Sequence, residues 1–224
     1  MAKNVFTRAL KPASLSLFAA GISVAAGAVA TGAPAFAADN ESTPRTSGAS
    51  YQAIPQKGAG QVSANTVLKI AESQIGVTEN AAGGGTPFHS WYMSSPRAAE
   101  TMVRDGGNLQ AYANAPWCAM FVSWVGEKAG ARPTVGWDAY TVTFAKWFQA
   151  NKHWGTQAKP GAVVFFDWQG GGTSGIDHVG LVKKDNGDGT ITTIEGNTGN
   201  GKVEQRIRPY AHVVGYGYPQ YKTA

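Results

Sequence analysis

Residues 160–197 read PGAVVFFDWQGGGTSGIDHVGLVKKDNGDGTITTIEGN. Runs of β-branched and aromatic residues alternate here with clusters of Gly, Asn and Asp, a pattern typical of β-strands joined by tight turns. Two more runs of this kind follow before the C-terminus. We therefore predict five strands: Ala162–Asp167, Ile176–Lys183, Thr190–Glu195, Val203–Arg208 and Val213–Tyr218.

The chain upstream of the strands has helical periodicity. Apolar residues recur at helical spacing from Ser63 to about Gly76, with Asn65 as the predicted N-cap. Two further helices are predicted over residues 116–130 and 138–151. Helices followed by an antiparallel sheet are typical of the α+β class. We predict one domain in which N-terminal helices pack on an antiparallel sheet of about five strands.

The N-terminus has the composition of a secretory signal. Three basic residues precede an uncharged stretch over residues 13–30, and Ala35-Phe36-Ala37 offers the small residues that a signal peptidase reads. The alternative is a transmembrane anchor, because the stretch approaches the ~20 residues that span a bilayer. We predict a signal peptide over 1–37, a flexible leader over 38–62, rich in Ser, Thr, Gly, Pro and Gln, and the folded domain over 63–224.

Charge and cysteine content exclude several classes of protein. The formal charge of the chain is +5, but removal of residues 1–37 leaves 16 basic and 14 acidic side chains. This balance argues against nucleic-acid binding, which usually needs a marked basic excess. A single cysteine, Cys118, excludes an internal disulfide framework and a multi-cysteine zinc site. We expect a secreted monomer that is not inserted in the membrane after signal cleavage.

Cys118 is the first candidate for chemistry. It lies in the first turn of the predicted helix over 116–130, where unpaired N–H groups and the helix dipole favour an anion such as a thiolate. A backbone N–H at this end could also donate to a developing oxyanion. The alternative is a small buried hydrophobic residue, which describes most lone cysteines.

His178 is the candidate base. Asn186-Gly187 is the favoured centre of a two-residue hairpin turn, and a loop of that length places His178 directly opposite Glu195. Asn197 then projects from the same face as Glu195. A histidine held by a polar partner fits the logic of a nucleophilic triad. A structural histidine–carboxylate pair remains the alternative, and a turn at Asp188-Gly189 would change the register.

Four motifs together resemble the CHAP domain (cysteine, histidine-dependent amidohydrolase/peptidase). They are Ala115-Pro116-Trp117-Cys118-Ala119-Met120-Phe121-Val122, Pro160-Gly161-Ala162-Val163-Val164-Phe165-Phe166, Asp177-His178-Val179-Gly180-Leu181-Val182 and Ile194-Glu195-Gly196-Asn197. The resemblance extends over about residues 65–218. It implies a papain-like fold and hydrolysis of an amide bond in bacterial cell-wall peptidoglycan, by an N-acetylmuramoyl-L-alanine amidase or a stem or cross-bridge endopeptidase.

The resemblance also assigns roles to residues. Cys118 matches the family nucleophile, His178 matches the general base, and Glu195 and Asn197 match the polar positions that orient the histidine. Ala162 departs from the Asp that often follows the Pro-Gly of the second motif. Residues 80–86 hold no carboxylate where some members bind calcium, so we expect no metal and no cofactor.

Two tryptophans are candidates for substrate binding. Trp117 directly precedes the predicted nucleophile, and Trp168 directly follows the first predicted strand. In one interpretation both side chains line a groove, and in the other they belong to the core. The alternative function is a secreted wall-binding protein that keeps the fold without catalysis.

Overall fold

The computed structural model describes residues 61–105 and 107–222. The predicted signal peptide and all but the last two residues of the predicted leader lie outside the described residues. Within that part of the chain, six α-helices alternate with short loops before the sheet: α1 (Ala64–Glu72), α2 (Pro87–Ser94), α3 (Pro96–Asp105), α4 (Cys118–Lys128), α5 (Arg132–Val135) and α6 (Thr141–Ala150).

Six strands follow the helices. They are β1 (Trp154–Gly155), β2 (Val163–Phe166), β3 (His178–Asp185), β4 (Thr190–Glu195), β5 (Glu204–Pro209) and β6 (Val213–Gly217). They form one sheet in the order β1-β6-β2-β3-β4-β5, and each neighbouring pair is antiparallel. The predicted α+β class is confirmed, with six strands in place of five, because the two residues of β1 are too few to produce a recognisable pattern.

The two faces of the sheet contribute to separate apolar clusters. The larger cluster includes residues of α4, α6 and one face of the sheet, among them Phe121, Phe144 and Leu181. The smaller cluster lies on the other face and contains Val164, Phe166, Val182, Ile191 and Tyr216. Alternation along each strand separates the two sets, as the two-residue period of a β-strand requires.

Three helices of the structure, α2, α3 and the four-residue α5, are absent from the sequence prediction. Both α2 and α3 begin at a proline, the residue whose missing N–H is harmless in the first turn of a helix. Thr86 caps α2 by accepting a hydrogen bond from the backbone N–H of His89 (3.3 Å). The predicted cap of α1 was also wrong, since Ser63 rather than Asn65 accepts the capping bond, from Thr66 N (3.2 Å).

The predicted hairpin register is wrong. Asn186 N donates to Thr190 O (3.1 Å), which leaves a three-residue loop, and Leu181 rather than Val179 lies opposite Ile194. Glycines with φ of +75° and +85° at positions 187 and 189 allow this longer loop. The register shifts again at a bulge between Val182 and Lys184. If the pairing of Leu181 with Ile194 is extended by one residue toward the start of β3, Gly180 lies beside Glu195.

No helix in the described residues is long and apolar enough to cross a bilayer.

Candidate active site

Cys118 is the first residue of α4, in the position that the sequence predicts for an activated thiol. Two bonds fix the chain just before it. The Nε2 atom of buried His89 lies 3.0 Å from the carbonyl oxygen of Ala115, and Trp117 Nε1 donates to Glu79 Oε2 (2.7 Å). The first bond holds the backbone three residues before Cys118, and the second holds the indole of the residue directly before it, so together they fix the segment that leads to the thiol.

Gly196 allows α4 to approach the end of β4. A Cβ atom at this position would come within 2.6 Å of Phe121 Cβ and 2.7 Å of the Trp117 ring. Both neighbours are fully buried and cannot retreat without a cavity or a clash elsewhere. The glycine of the Glu195-Gly196-Asn197 motif is therefore needed for the close packing of the helix that carries Cys118.

His178 and Glu195 are in contact, although the predicted cross-strand pairing is wrong. His178 Nε2 donates to Glu195 Oε2 (2.9 Å), and the carboxylate is completely buried. Gly180 makes the contact possible: a Cβ there would lie 2.7 Å from Glu195 Cγ. Since Gly180 leaves this space open, the Glu195 side chain passes over it and reaches His178, which lies two residues before Gly180 on the same face of β3.

The charges of this pair depend on Cys118 and on a neighbouring arginine. Burial would lower the pKa of His178, but hydrogen bonding to Cys118 and to Glu195 outweighs it and raises the pKa to about 9. Burial would raise the pKa of Glu195, but Arg208 and His178 lower it to about 2. The arrangement therefore favours an imidazolium ion between the thiol and an ionised carboxylate. With Nε2 bonded to Glu195, Nδ1 is the ring nitrogen left for the thiol.

Glu195 has two more partners, which the sequence analysis missed. Arg208 donates from Nε to Oε1 (2.9 Å) and from Nη2 to Oε2 (2.5 Å), and Thr193 Oγ1 donates to Oε1 (2.5 Å). Thr193 could have been found, because it shares a strand face with Glu195. Arg208 could not, because its Cα lies opposite Ile191 and its side chain reaches the carboxylate from four residues along the strand.

The structure places Asn197 and the two tryptophans in three different environments. Asn197 is half-buried in the left-handed region (φ +53°), and no hydrogen bond within the described residues joins its side chain to His178. Trp117 is fully buried and stacks on Phe88, so it belongs to the core and not to a groove wall. Trp168 is 38% exposed and its ring centroid lies 6.1 Å from that of His178.

A cleft of about 380 Å³ opens beside the thiol. Cys118 contributes to its wall, together with side chains from the loops before α4 and α6 and from the segment before β3, including Tyr112, Pro116, Tyr140, Thr141 and Asp177. Trp168 lies outside this wall. A molecule bound in the cleft would therefore lie beside Cys118.

No group of three or more His, Cys, Asp or Glu side chains in the described part of the chain is placed to hold a metal ion.

The sequence of this site matches a known family. Residues 110–197 match the family model of the CHAP domain. The resemblance inferred from the four motifs is confirmed, and the matched segment contains Cys118, His178, Glu195 and Asn197. A CHAP domain implies a hydrolase of the amidase or peptidase type.

Other comparisons add little. No curated protein matches the chain significantly. The crystal structure of Ly7917 is 18% identical, with a TM-score of 0.35, and the alignment covers 70% of this chain and 63% of that one. The chain thus spans less than two thirds of that protein, and the likeness supports no inference here.

Proposed function

We propose that the protein is a secreted hydrolase that cleaves an amide bond of peptidoglycan with Cys118 as nucleophile. The observation that carries the proposal is the alignment of three groups in the CHAP-matching segment: a thiol at a helix N-terminus, a histidine in contact with it, and a buried carboxylate behind the histidine. A nucleophile, a base in contact with it and a group that orients the base are the three elements of a catalytic triad for covalent acyl transfer.

The first chemical step is attack on the substrate carbonyl. His178 holds the proton of the thiol, and Glu195 stabilises the resulting imidazolium, consistent with the raised pKa of the histidine. The thiolate then adds to the carbonyl carbon. N–H groups in the first turn of α4 have no intrahelical acceptor, so they are free to stabilise the oxyanion that develops beside Cys118.

The second step releases the two halves of the substrate. The His178 imidazolium gives its proton to the leaving amine, which departs and leaves an acyl group on the Cys118 sulfur. Water, deprotonated by the now neutral His178, hydrolyses this thioester and restores the free enzyme. Glu195 stays ionised throughout, because Arg208 stabilises its charge independently of His178.

Glu195 is proposed as the orienting group in preference to Asn197. It accepts the hydrogen bond from His178, whereas no hydrogen bond within the described residues joins the Asn197 side chain to that histidine. Trp168 is proposed to shield the histidine rather than to line the cleft. The peptidoglycan partner, export, wall association and a monomeric state complete the proposal, and they rest on the sequence features given above.

Digestion of purified peptidoglycan tests this function. The purified protein and its Cys118→Ala variant are incubated with sacculi, and the soluble products are analysed by mass spectrometry. Glycan strands separated from intact stem peptides would identify an amidase, and shortened or unlinked stems would identify an endopeptidase. If the two proteins release equal amounts of product, the cysteine mechanism is wrong. If neither releases product from several wall types, the non-catalytic wall-binding alternative is favoured.

A further inference from the structure

Arg208 forms the outer end of the polar chain that starts at Cys118. Its Nε and Nη2 atoms bond to the two different oxygens of Glu195, at 2.9 and 2.5 Å, in the two-pronged geometry that only a guanidinium provides. Glu195 therefore cannot rotate without breaking at least two charge-assisted hydrogen bonds. Because the same carboxylate receives His178 Nε2, its orientation also sets the orientation of the imidazole ring.

Two aromatic rings, of Trp168 and Phe166, pack against the guanidinium of Arg208. The Arg208 guanidinium carbon is 5.0 Å from the ring centroid of Trp168 and 5.8 Å from that of Phe166. These two rings stack on one another at 5.0 Å with an interplanar angle of 11°, and both lie about 6 Å from the His178 ring. The two rings thus hold the guanidinium in place and reduce the access of water to its bonds with Glu195.

The charges around Glu195 explain why an arginine is needed. The titratable or charged groups that face the carboxylate are His178 and Arg208, while Cys118 faces His178 and Glu204 acts on Arg208 at longer range. The carboxylate is wholly buried, and burial alone favours its protonated form. A protonated Glu195 would stabilise the imidazolium poorly. Arg208 keeps the carboxylate charged even when His178 gives up its proton.

We propose that Arg208 is a positioning residue, which holds Glu195 ionised and oriented and through it holds His178 in line with Cys118. This inference rests on the proposed cysteine mechanism. Arg208 touches neither the thiol nor the cleft wall, so it affects Cys118 only through groups that contact His178, and Glu195 is the one that is hydrogen-bonded to the imidazole.

The rate at which iodoacetamide alkylates Cys118, followed from pH 4 to 9, tests the proposal without any wall substrate. Arg208→Met is expected to slow alkylation at pH 7 about tenfold or more, the effect of losing charge-assisted hydrogen bonds. It is also expected to move the acid limb of the profile to higher pH, since removal of an adjacent opposite charge raises a carboxyl pKa by about 1–3 units. Arg208→Lys should give an intermediate alkylation rate, because an ammonium keeps the positive charge but cannot form the two parallel hydrogen bonds of the guanidinium.

Arg206 offers a matched control on the same strand. It lies two residues away on the same face of β5 and pairs with Glu204 instead of Glu195. In Arg206→Met, the rate of Cys118 alkylation should lie within about twofold of that in the unsubstituted protein, and its pH profile should be unchanged. An equal effect of Arg206→Met and Arg208→Met would overturn the proposal, because it would show a general effect of surface charge.

A double substitution keeps the proposal testable if Arg208→Met folds poorly. Glu195→Gln/Arg208→Met removes both charges of this ion pair together, so neither member is left buried without the other. If Arg208 acts through Glu195, the double variant should alkylate within about twofold of Glu195→Gln alone. A further tenfold loss would overturn the proposal. Retained alkylation behaviour without peptidoglycan hydrolysis would contradict the proposed function and leave the role of Arg208 intact.

Discussion

Two buried carboxylates in this protein have similar surroundings and different consequences. Asp138, between α5 and α6, accepts bonds from Arg97 (3.1 Å) and Arg104 (2.7 Å) of α3, and Ser123 of α4 bonds to its backbone. Glu195 accepts bonds from Arg208 and from His178. Both side chains are almost completely buried.

The difference lies in which cation can lose its proton. The arginines around Asp138 remain charged at every accessible pH, so that cluster only ties α3, α4 and the start of α6 together. His178 can change its charge, and its other partner is Cys118. A buried ion pair stabilises packing in the first case, and in the proposed mechanism it prepares a proton transfer in the second. The following predictions test this contrast, from the largest expected effect to the smallest.

Removal of the thiol should have the largest effect. Cys118→Ala is expected to lower peptidoglycan hydrolysis about 10⁴-fold or more, because the proposed acyl intermediate forms on the sulfur of Cys118. Initial rates of soluble product release measure the loss. Ser123→Ala serves as the control on the same helix, since its hydroxyl bonds only to Asp138 backbone atoms. If that control loses as much activity as Cys118→Ala, the loss reflects packing of α4 and not chemistry.

Loss of the carboxylate charge should come next. Glu195→Gln is expected to lower the rate about 100-fold, because the imidazolium loses its counter-charge and its fixed orientation. Asn197→Ala should lower it less than about threefold, since no hydrogen bond links that side chain to His178. Rates of hydrolysis under identical conditions compare the two variants. The reverse ranking would make Asn197 the orienting group.

The structural carboxylate should behave in the opposite way. Asp138→Asn is expected to lower the free energy of unfolding by about 2–3 kcal/mol, less than for a fully buried pair because both arginines are partly exposed. Urea denaturation measures this loss. The alkylation rate of Cys118 should stay within about twofold in the folded variant. A tenfold slower alkylation would remove the distinction between the two carboxylates.

The pH dependence of stability should be the smallest of these effects. His178 has a pKa of about 9 in the folded protein against an ordinary value of 6.5. Its stabilising contribution is therefore complete below pH 6.5 and is lost as the pH rises through 9. Between pH 6.5 and 8.5 the expected loss is about 2 kcal/mol.

Urea denaturation across this range checks the pH effect. In His178→Gln that part of the slope should vanish, whereas Asp138→Asn should retain it because the arginines do not titrate there. An unchanged slope in His178→Gln would mean that another group governs the effect.

Local pattern was enough to predict much of the sheet. The strand over Thr190–Glu195 was predicted with the bounds that the structure shows, and the other four predicted strands overlap their counterparts. These segments are rich in β-branched and aromatic residues and are separated by glycine turns, so the local sequence is enough to identify them as strands. The helix α2 lacks a clear apolar period, and only Pro87 and Thr86 at its start could have indicated it. The helix α3 separates polar from apolar residues, but the side chains that it buries, Ala98 and Thr101, are small.

The pairing of side chains depended on features that local pattern does not contain. The two-residue turn at Asn186-Gly187 was the favoured choice, but the Asp185 and Asp188 side chains accept backbone bonds that stabilise a longer loop. His178 still meets Glu195, because Gly180 leaves space for a diagonal contact. Strand register alone would also favour Arg206 over Arg208 as the partner of Glu195, because Arg206 lies opposite Thr193.

Direct detection of an acyl-enzyme tests the central claim. Soluble peptidoglycan fragments are mixed with the protein, the reaction is quenched in acid within seconds, and the intact protein mass is measured. The mechanism predicts an added mass equal to the acyl half of the substrate, located on Cys118 and absent from Cys118→Ala. Continued product release by Cys118→Ala, with no adduct on the unsubstituted protein, would contradict it.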